Sequence, residues 1–230
     1  SASAATAAAP VGIAISGGIA TAKNTISNTV EAYISNATNL SSALGVSVAA
    51  KDTSTISAEL LSASLAVAPI GVAVGLALTE NSIFNNVSAY INGSSVTANA
   101  GNISVTALFE PGITTRGRVA AISASLGIAG AGAESKTLVG GNTQVFVIAS
   151  TLSAPNNDVF VESTTIASAT PVFSSLSGGV VAVAILSPTA QVSGTTTADV
   201  SGGAVIQANN ITRDVSTKPF KYFILSPSNP

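Results

Sequence analysis

The chain has 230 residues, with 8 Lys and Arg against 10 Asp and Glu, a formal charge of -2, and no Cys, His, Met or Trp. This excludes disulfides, thiolate metal sites and His- or Cys-based nucleophilic mechanisms, and it leaves no basic stripe for nucleic acid. Charged residues are 8% and hydrophobic ones 47%, which is not a disordered composition; it suits closely stacked strands whose polar surface is Ser, Thr and Asn.

Residues 1–9 form a Ser/Ala-rich lead segment with little pattern. From Pro10 the chain reads P-V-G-I-A-I-S, with large aliphatics at Val11, Ile13 and Ile15 and small residues between them. Period two is the signal of a strand. It returns as P-I-G-V-A-V-G-L-A-L from Pro69, as L-G-I-A-G from Leu126 and as V-A-V-A-I from Val181. The starts at Val11, Ile70, Leu126 and Val181 lie 59, 56 and 55 residues apart. The alternation predicts that Ile70, Val72, Val74, Leu76 and Leu78 fill a core. The opposite face, Gly71, Ala73, Gly75 and Ala77, would let another backbone approach closely. Leu60 to Leu78 is long and charge-poor enough for a membrane span, but Ser62, Ser64, Pro69 and the alternation predict strands, so the chain is not expected to span a membrane.

A second motif recurs at the same period. Asn24–Ile34 reads N-T-I-S-N-T-V-E-A-Y-I and Asn81–Ile91 reads N-S-I-F-N-N-V-S-A-Y-I, with seven of eleven positions identical at a spacing of 57. A weaker copy starts at Asn142 and a worn one lies near Thr196–Val200. Repeats at such a period signal a stacked array. Ile83, Val87 and Ile91, with Ile26, Val30 and Ile34, are predicted core residues. Asn28, Asn85 and Asn142 are predicted to stack as a hydrogen-bonded ladder, and Tyr33 and Tyr90 to stack beside it.

Short strands broken by Asn-Gly, Ala-Gly-Asn and Asn-Asn turns follow each copy, as in I-N-G-S-S-V-T-A-N-A-G-N-I-S-V-T-A from Ile91. Six N-x-[ST] sequons, at Asn36, Asn39, Asn86, Asn92, Asn102 and Asn210, are candidate glycosylation sites. The Ser/Thr-rich blocks at 53–64, 113–125 and 162–170, with Glu59, Arg116, Arg118 and Glu162 in them and Lys51, Asp52 and Glu110 just before, are read as a solvated linking face. The aromatic, Pro-rich tail 218–230 contains Phe220, Tyr222 and Phe223.

The fold expected is all-β: a repeat β-solenoid or β-helix of about four modules of roughly 57 residues (10–66, 67–123, 124–178 and 179–217), with a β-sandwich fimbrial subunit as the alternative.

At N-T-I-S-N-T-V-E-A-Y-I and G-S-S-V-T-A-N-A-G-N-I-S-V-T-A the chain resembles the β-strand-repeat regions of large bacterial surface exoproteins, the filamentous-haemagglutinin-like and leukotoxin-A-like filamentous adhesins. The resemblance spans roughly residues 10–212. It implies secretion, a β-solenoid stalk and an adhesive or structural role. The third and fourth modules depart from the pattern in having lost the Tyr.

No reaction is legible. Asp52, Asp158, Asp199 and Asp214 are not paired as glycosidase carboxylates would be. Asp158 in N-N-D reads as a turn former, and the glycine–aspartate nonapeptide of calcium-binding β-rolls is missing. The chain is therefore expected not to be an enzyme and to need no cofactor or metal. The expected function is an extracellular fibre, stalk or surface layer built by strand stacking. The alternatives are an adhesin module that binds surface glycans and a donor-strand fimbrial subunit. The expected partner is a second copy, with glycans or other surface proteins behind it. Phe220, Tyr222, Phe223 and Ile224 would dock on the uncharged strand that carries Val11 and Ile13.

Overall fold

The computed structural model describes residues 2–7, 12–124 and 126–218. Among them every regular element is a strand. Four turns of chain each contribute five. The first coil carries β1 (Ala2–Ala7), β2 (Ile13–Ile26), β3 (Thr29–Ser35), β4 (Leu40–Ser42) and β5 (Val46–Asp52). The second carries β6 (Thr55–Val67), β7 (Ile70–Phe84), β8 (Asn86–Asn92), β9 (Ser95–Ala98) and β10 (Ile103–Phe109). The third carries β11 (Gly112–Ser123), β12 (Ile128–Gly140), β13 (Asn142–Ile148), β14 (Thr151–Ala154) and β15 (Val159–Ile166). The fourth carries β16 (Ser168–Gly178), β17 (Val181–Val192), β18 (Thr195–Ser201), β19 (Val205–Ala208) and β20 (Ile211–Lys218).

Each strand pairs in parallel with the strand five places on, giving five four-stranded sheets such as β2-β7-β12-β17. The chain is a repeat β-solenoid, and one repeat is one coil. The register offset from β2, β3 and β5 to the second coil is 57, as in Asn24↔Asn81 and Tyr33↔Tyr90, and from β7, β8, β9 and β10 to the third coil it is 56. The segment read as a lead, residues 2–7, is a strand that pairs with β6. The Ser/Thr-rich blocks read as solvated linkers are also strands: 53–64 lies largely in β6 and 113–125 largely in β11, with alternate residues buried, and 162–170 ends β15 and begins β16. Their hydroxyls and the charges at Glu59, Arg116 and Arg118 made them look like surface, but their small side chains serve the interior.

The cross-section has two lobes. In the first, β3, β4 and β5 and their equivalents enclose an ordinary aliphatic core. Ile83, Val87, Ile91, Val96, Ile103, Val105 and Leu152 are all fully buried there, while Ile26, Val30 and Ile34 of the first coil are partly buried against it. The second lobe is a slab in which the long strands β6 and β7, and their equivalents, face each other across a core of Ala, Ser and Gly with Leu60, Val119 and Phe173.

The slab inverts the expected faces. Ala73 and Ala77 are fully buried, while Ile70, Val74 and Leu78 are exposed and Val72 and Leu76 are half-buried. Ile13 and Ile15 are likewise exposed, at 66% and 69%. The reason is steric. A Cβ placed on Gly75 would lie 2.8 Å from the Ala120 carbonyl oxygen of the facing sheet. The two backbones thus approach more closely than the usual ~10 Å between packed sheets, and only small side chains fit between them. Leu60–Leu78, weighed above as a span, is β6, a turn at residues 68–69, and β7. Among the described residues no helix is long and apolar enough to cross a membrane.

Candidate functional site

The slab's outer face on β2, β7, β12 and β17 is the most distinctive surface. Its rows run across the stack in register: Ile15, Val72, Ile128 and Val181; then Gly17, Val74, Gly130 and Val183; then Ile19, Leu76, Gly132 and Ile185. Nothing lies within 4 Å of where a Cβ would stand on Gly17 or Gly130. Gly130 and Gly132 therefore leave an apolar groove of about 150 Å³ along β12, walled by Val74 and Leu76 on one side and Val183 and Ile185 on the other.

Towards the first lobe the apolar rows stop at charge. Lys23, Glu80 and Lys136 stand in one row, with Glu134 one position outward on the same face of β12. Lys23 Nζ donates to Glu80 Oε2 at 2.9 Å. That hydrogen bond, then the Lys23 charge, with Lys136 adding, holds the Glu80 carboxyl below its ordinary range against a smaller opposing effect of desolvation. A depression of about 370 Å³ lies over this cluster. The opposite face of the slab carries Glu59, in register with Arg116, and Arg118. Inside, Asn81 Nδ2 donates to Thr115 Oγ1 at 2.7 Å across the two sheets. Glu80 and Arg116, their sequence neighbours, therefore mark the same height on opposite faces. The slab has charged rows at its base and apolar faces up to its tip. At the tip the turn amides bond along the stack, Ala124 N to Ala66 O at 2.9 Å and Leu126 N to Pro69 O at 3.3 Å.

Where the lobes meet, a polar seam is buried. Asn85 Nδ2 donates to Asp52 Oδ2 at 2.8 Å and Ser54 Oγ at 3.0 Å, and Asn85 Oδ1 accepts from the Asn28 amide at 2.7 Å. The Asn28–Asn85 contact is thus amide to side chain. The side-chain rung in this region joins Asn24 Nδ2 to Asn81 Oδ1 at 2.7 Å. Asn142 stands apart from the expected column. The offset of 56 brings it beside Asn86, whose Oδ1 accepts from the Asn142 amide at 3.2 Å, and Gly141 takes the place of Asn85. Further along, Thr143, Thr165 and Thr196 link their hydroxyls at 2.8 and 2.9 Å.

Tyr33 and Tyr90 stack with centroids 5.0 Å apart and planes 6° from parallel. Partial loss of solvent pushes the Tyr90 hydroxyl above its ordinary range, and the Glu31 charge and Tyr33 add to it. Phe146 is in register with Tyr90, so an aromatic residue holds the equivalent position in the third coil, which a search for Tyr does not detect. Of the sequon asparagines, Asn36, Asn39, Asn86, Asn102 and Asn210 are exposed and Asn92 is half-buried. Asn102 Oδ1 accepts from the Asp158 amide, and Asn210 donates to Asp158 Oδ1 at 2.9 Å; Asp158 serves its turn. Ile13 is on the exposed face of β2, while Val11, Phe220, Tyr222, Phe223 and Ile224 lie outside the described residues. Among the described residues no three His, Cys, Asp or Glu are grouped as metal ligands.

Comparisons with protein-family models, curated proteins and solved structures find nothing that matches this chain.

Proposed function

We propose that the chain is an extracellular structural protein that builds a fibre, stalk or surface layer by end-to-end stacking of β-coils. The observation that supports this best is the parallel, in-register pairing of all five sheets. Among the described residues, β1 to β5 and β16 to β20 each pair on one side only. Exposed edges of this kind are templates for further strands. The side chains at the last coil agree: Ile211 is 55% exposed although its register partner Val159 is fully buried. A coil stacked on that end would cover it as β15 covers β10. The contact joins unlike ends, so it does not close and yields a filament. The resemblance to filamentous exoprotein repeats supports the extracellular setting, as does the absence of oxidisable Cys and Met.

Electron microscopy and fibre diffraction of the purified full chain test this reading. Filaments with a meridional spacing near ~4.8 Å, the distance between paired strands, are expected. A chain that stays shorter than two stacked coil sets at high concentration would overturn it.

A further inference from the structure

On the slab's outer face the row Gly17, Val74, Gly130, Val183 and the centre of the next row set bulk beside gap in an order that fits itself. We infer that two copies pair through this face, with the sheets β2-β7-β12-β17 of both in contact, tips on the same side and coil order reversed. The pairing uses a side of the solenoid and not its ends, so it goes beyond end-to-end stacking and either can fail alone.

Consider a two-fold axis parallel to the strands, passing between β7 and β12. It keeps each residue at its height and exchanges first with fourth coil and second with third. The row Gly17, Val74, Gly130, Val183 alternates gap and knob. Under this axis Val74 meets the gap at Gly130 of the other copy, and Val183 meets the gap at its Gly17. In the next row Leu76 meets the gap at Gly132, while Ile19 meets Ile185 bulk to bulk at the rim. At the base Glu80 comes opposite Lys136, twice by symmetry. The alternative axis, along the stack, would turn the charged row of one copy onto the apolar rows of the other, and unpaired charges would be buried. The Val74–Gly130, Leu76–Gly132 and Glu80–Lys136 contacts favour this arrangement, although it also lays Glu134 opposite Leu78, and an isologous contact of this kind closes as a dimer.

Area is sufficient. Four strands at ~4.8 Å and the ten residue steps from Ile70 to Glu80 at ~3.3 Å outline roughly 600 Å² per copy, or about 1,200 Å² for the pair, the lower end of stable interfaces. A lipid surface is the competing occupant for an apolar face. For an unstacked chain it is disfavoured because the slab's edge strands, unpaired on one side among the described residues, would put open N–H and C=O groups into hydrocarbon.

The test is sedimentation velocity of the full chain over a concentration series, with Gly130→Leu as the decisive variant. Its side chain enters open space in its own fold and blocks the partner's Val74. At concentrations below the onset of filaments the parent is expected to show a discrete dimer, and Gly130→Leu to weaken it at least about tenfold with an unchanged circular dichroism spectrum. Val74→Glu is the second variant, at an exposed position. Glu80→Lys should weaken the dimer, and Glu80→Lys with Lys136→Glu should restore it. A parent with no side-by-side dimer overturns the proposal, as does a Gly130→Leu chain that pairs as tightly or more tightly. So does a monomer that binds phosphatidylcholine vesicles through this face, which would assign it to lipid.

Discussion

Asn85 reaches Asp52 across the seam between the two lobes, Nδ2 to Oδ2 at 2.8 Å, although 33 positions separate them in the chain. The contact joins the corner after β7 to the end of β5 in the coil below. Asn85 is fully buried and Asp52 nearly so.

Removing one partner would leave the other buried without its bond. Asn85→Ala loses the donors to Asp52 and Ser54 and the acceptor for the Asn28 amide. An unfolding cost of about 2–4 kcal/mol is expected from stranding these groups, read from urea denaturation.

Substitutions on the two faces of β7 should behave oppositely. Ala73→Leu forces bulk between close backbones and should cost about 1–3 kcal/mol or more. Val74→Thr alters an exposed position and should stay within about 0.5 kcal/mol. Thermal melts of dilute protein compare the two. The reverse ranking would mean that the bulky face is the core.

The corner after β3, β8 and β13 needs left-handed backbone. Asn36 (φ 56°) and Gly93 (φ 56°) supply it, but the third coil has Ala149 at φ 49°. A Cβ in that region costs on the order of 1 kcal/mol. Ala149→Gly should therefore raise the unfolding free energy by about 0.5–1 kcal/mol, less what glycine gives back to the unfolded chain. Chemical denaturation measures it.

Glu80 should titrate below its ordinary value of 4.5. A depressed carboxyl contributes stability that is fully present above its unfolded pKa and is lost as pH falls through the lower folded one. Carboxyl chemical shifts followed by NMR should place Glu80 below 4.5, and Lys23→Ala should move it back towards that value.

The coil period was plain in the sequence because Asn24/Asn81 and Tyr33/Tyr90 keep both identity and register. The buried identity of Ile83, Val87 and Ile91 was legible for the same reason. The slab was not. Alternation of Val74 with Ala73 shows that a strand has two unlike faces but not which one is inside, and the usual rule that bulk goes inwards fails where two backbones approach at Gly75 and Ala120. Asn142 misled because a one-residue change in coil length moves a residue to the next rung without altering the motif. The gaps at Gly17 and Gly130 carry meaning only once the register sets them beside Val74 and Val183.

The parallel stacking also fixes how far the molecule reaches. Each coil advances the axis by only ~4.8 Å, so four coils extend about 19 Å along it. The eight steps from Ile70 to Leu78 alone run about 26 Å across it. The body is thus at least as broad as it is tall, more plate than rod. Some 57 residues are used for each strand spacing gained, so any long reach has to come from many further coils, in one chain or in many copies. A surface built this way gains thickness and sideways contact area much faster than height.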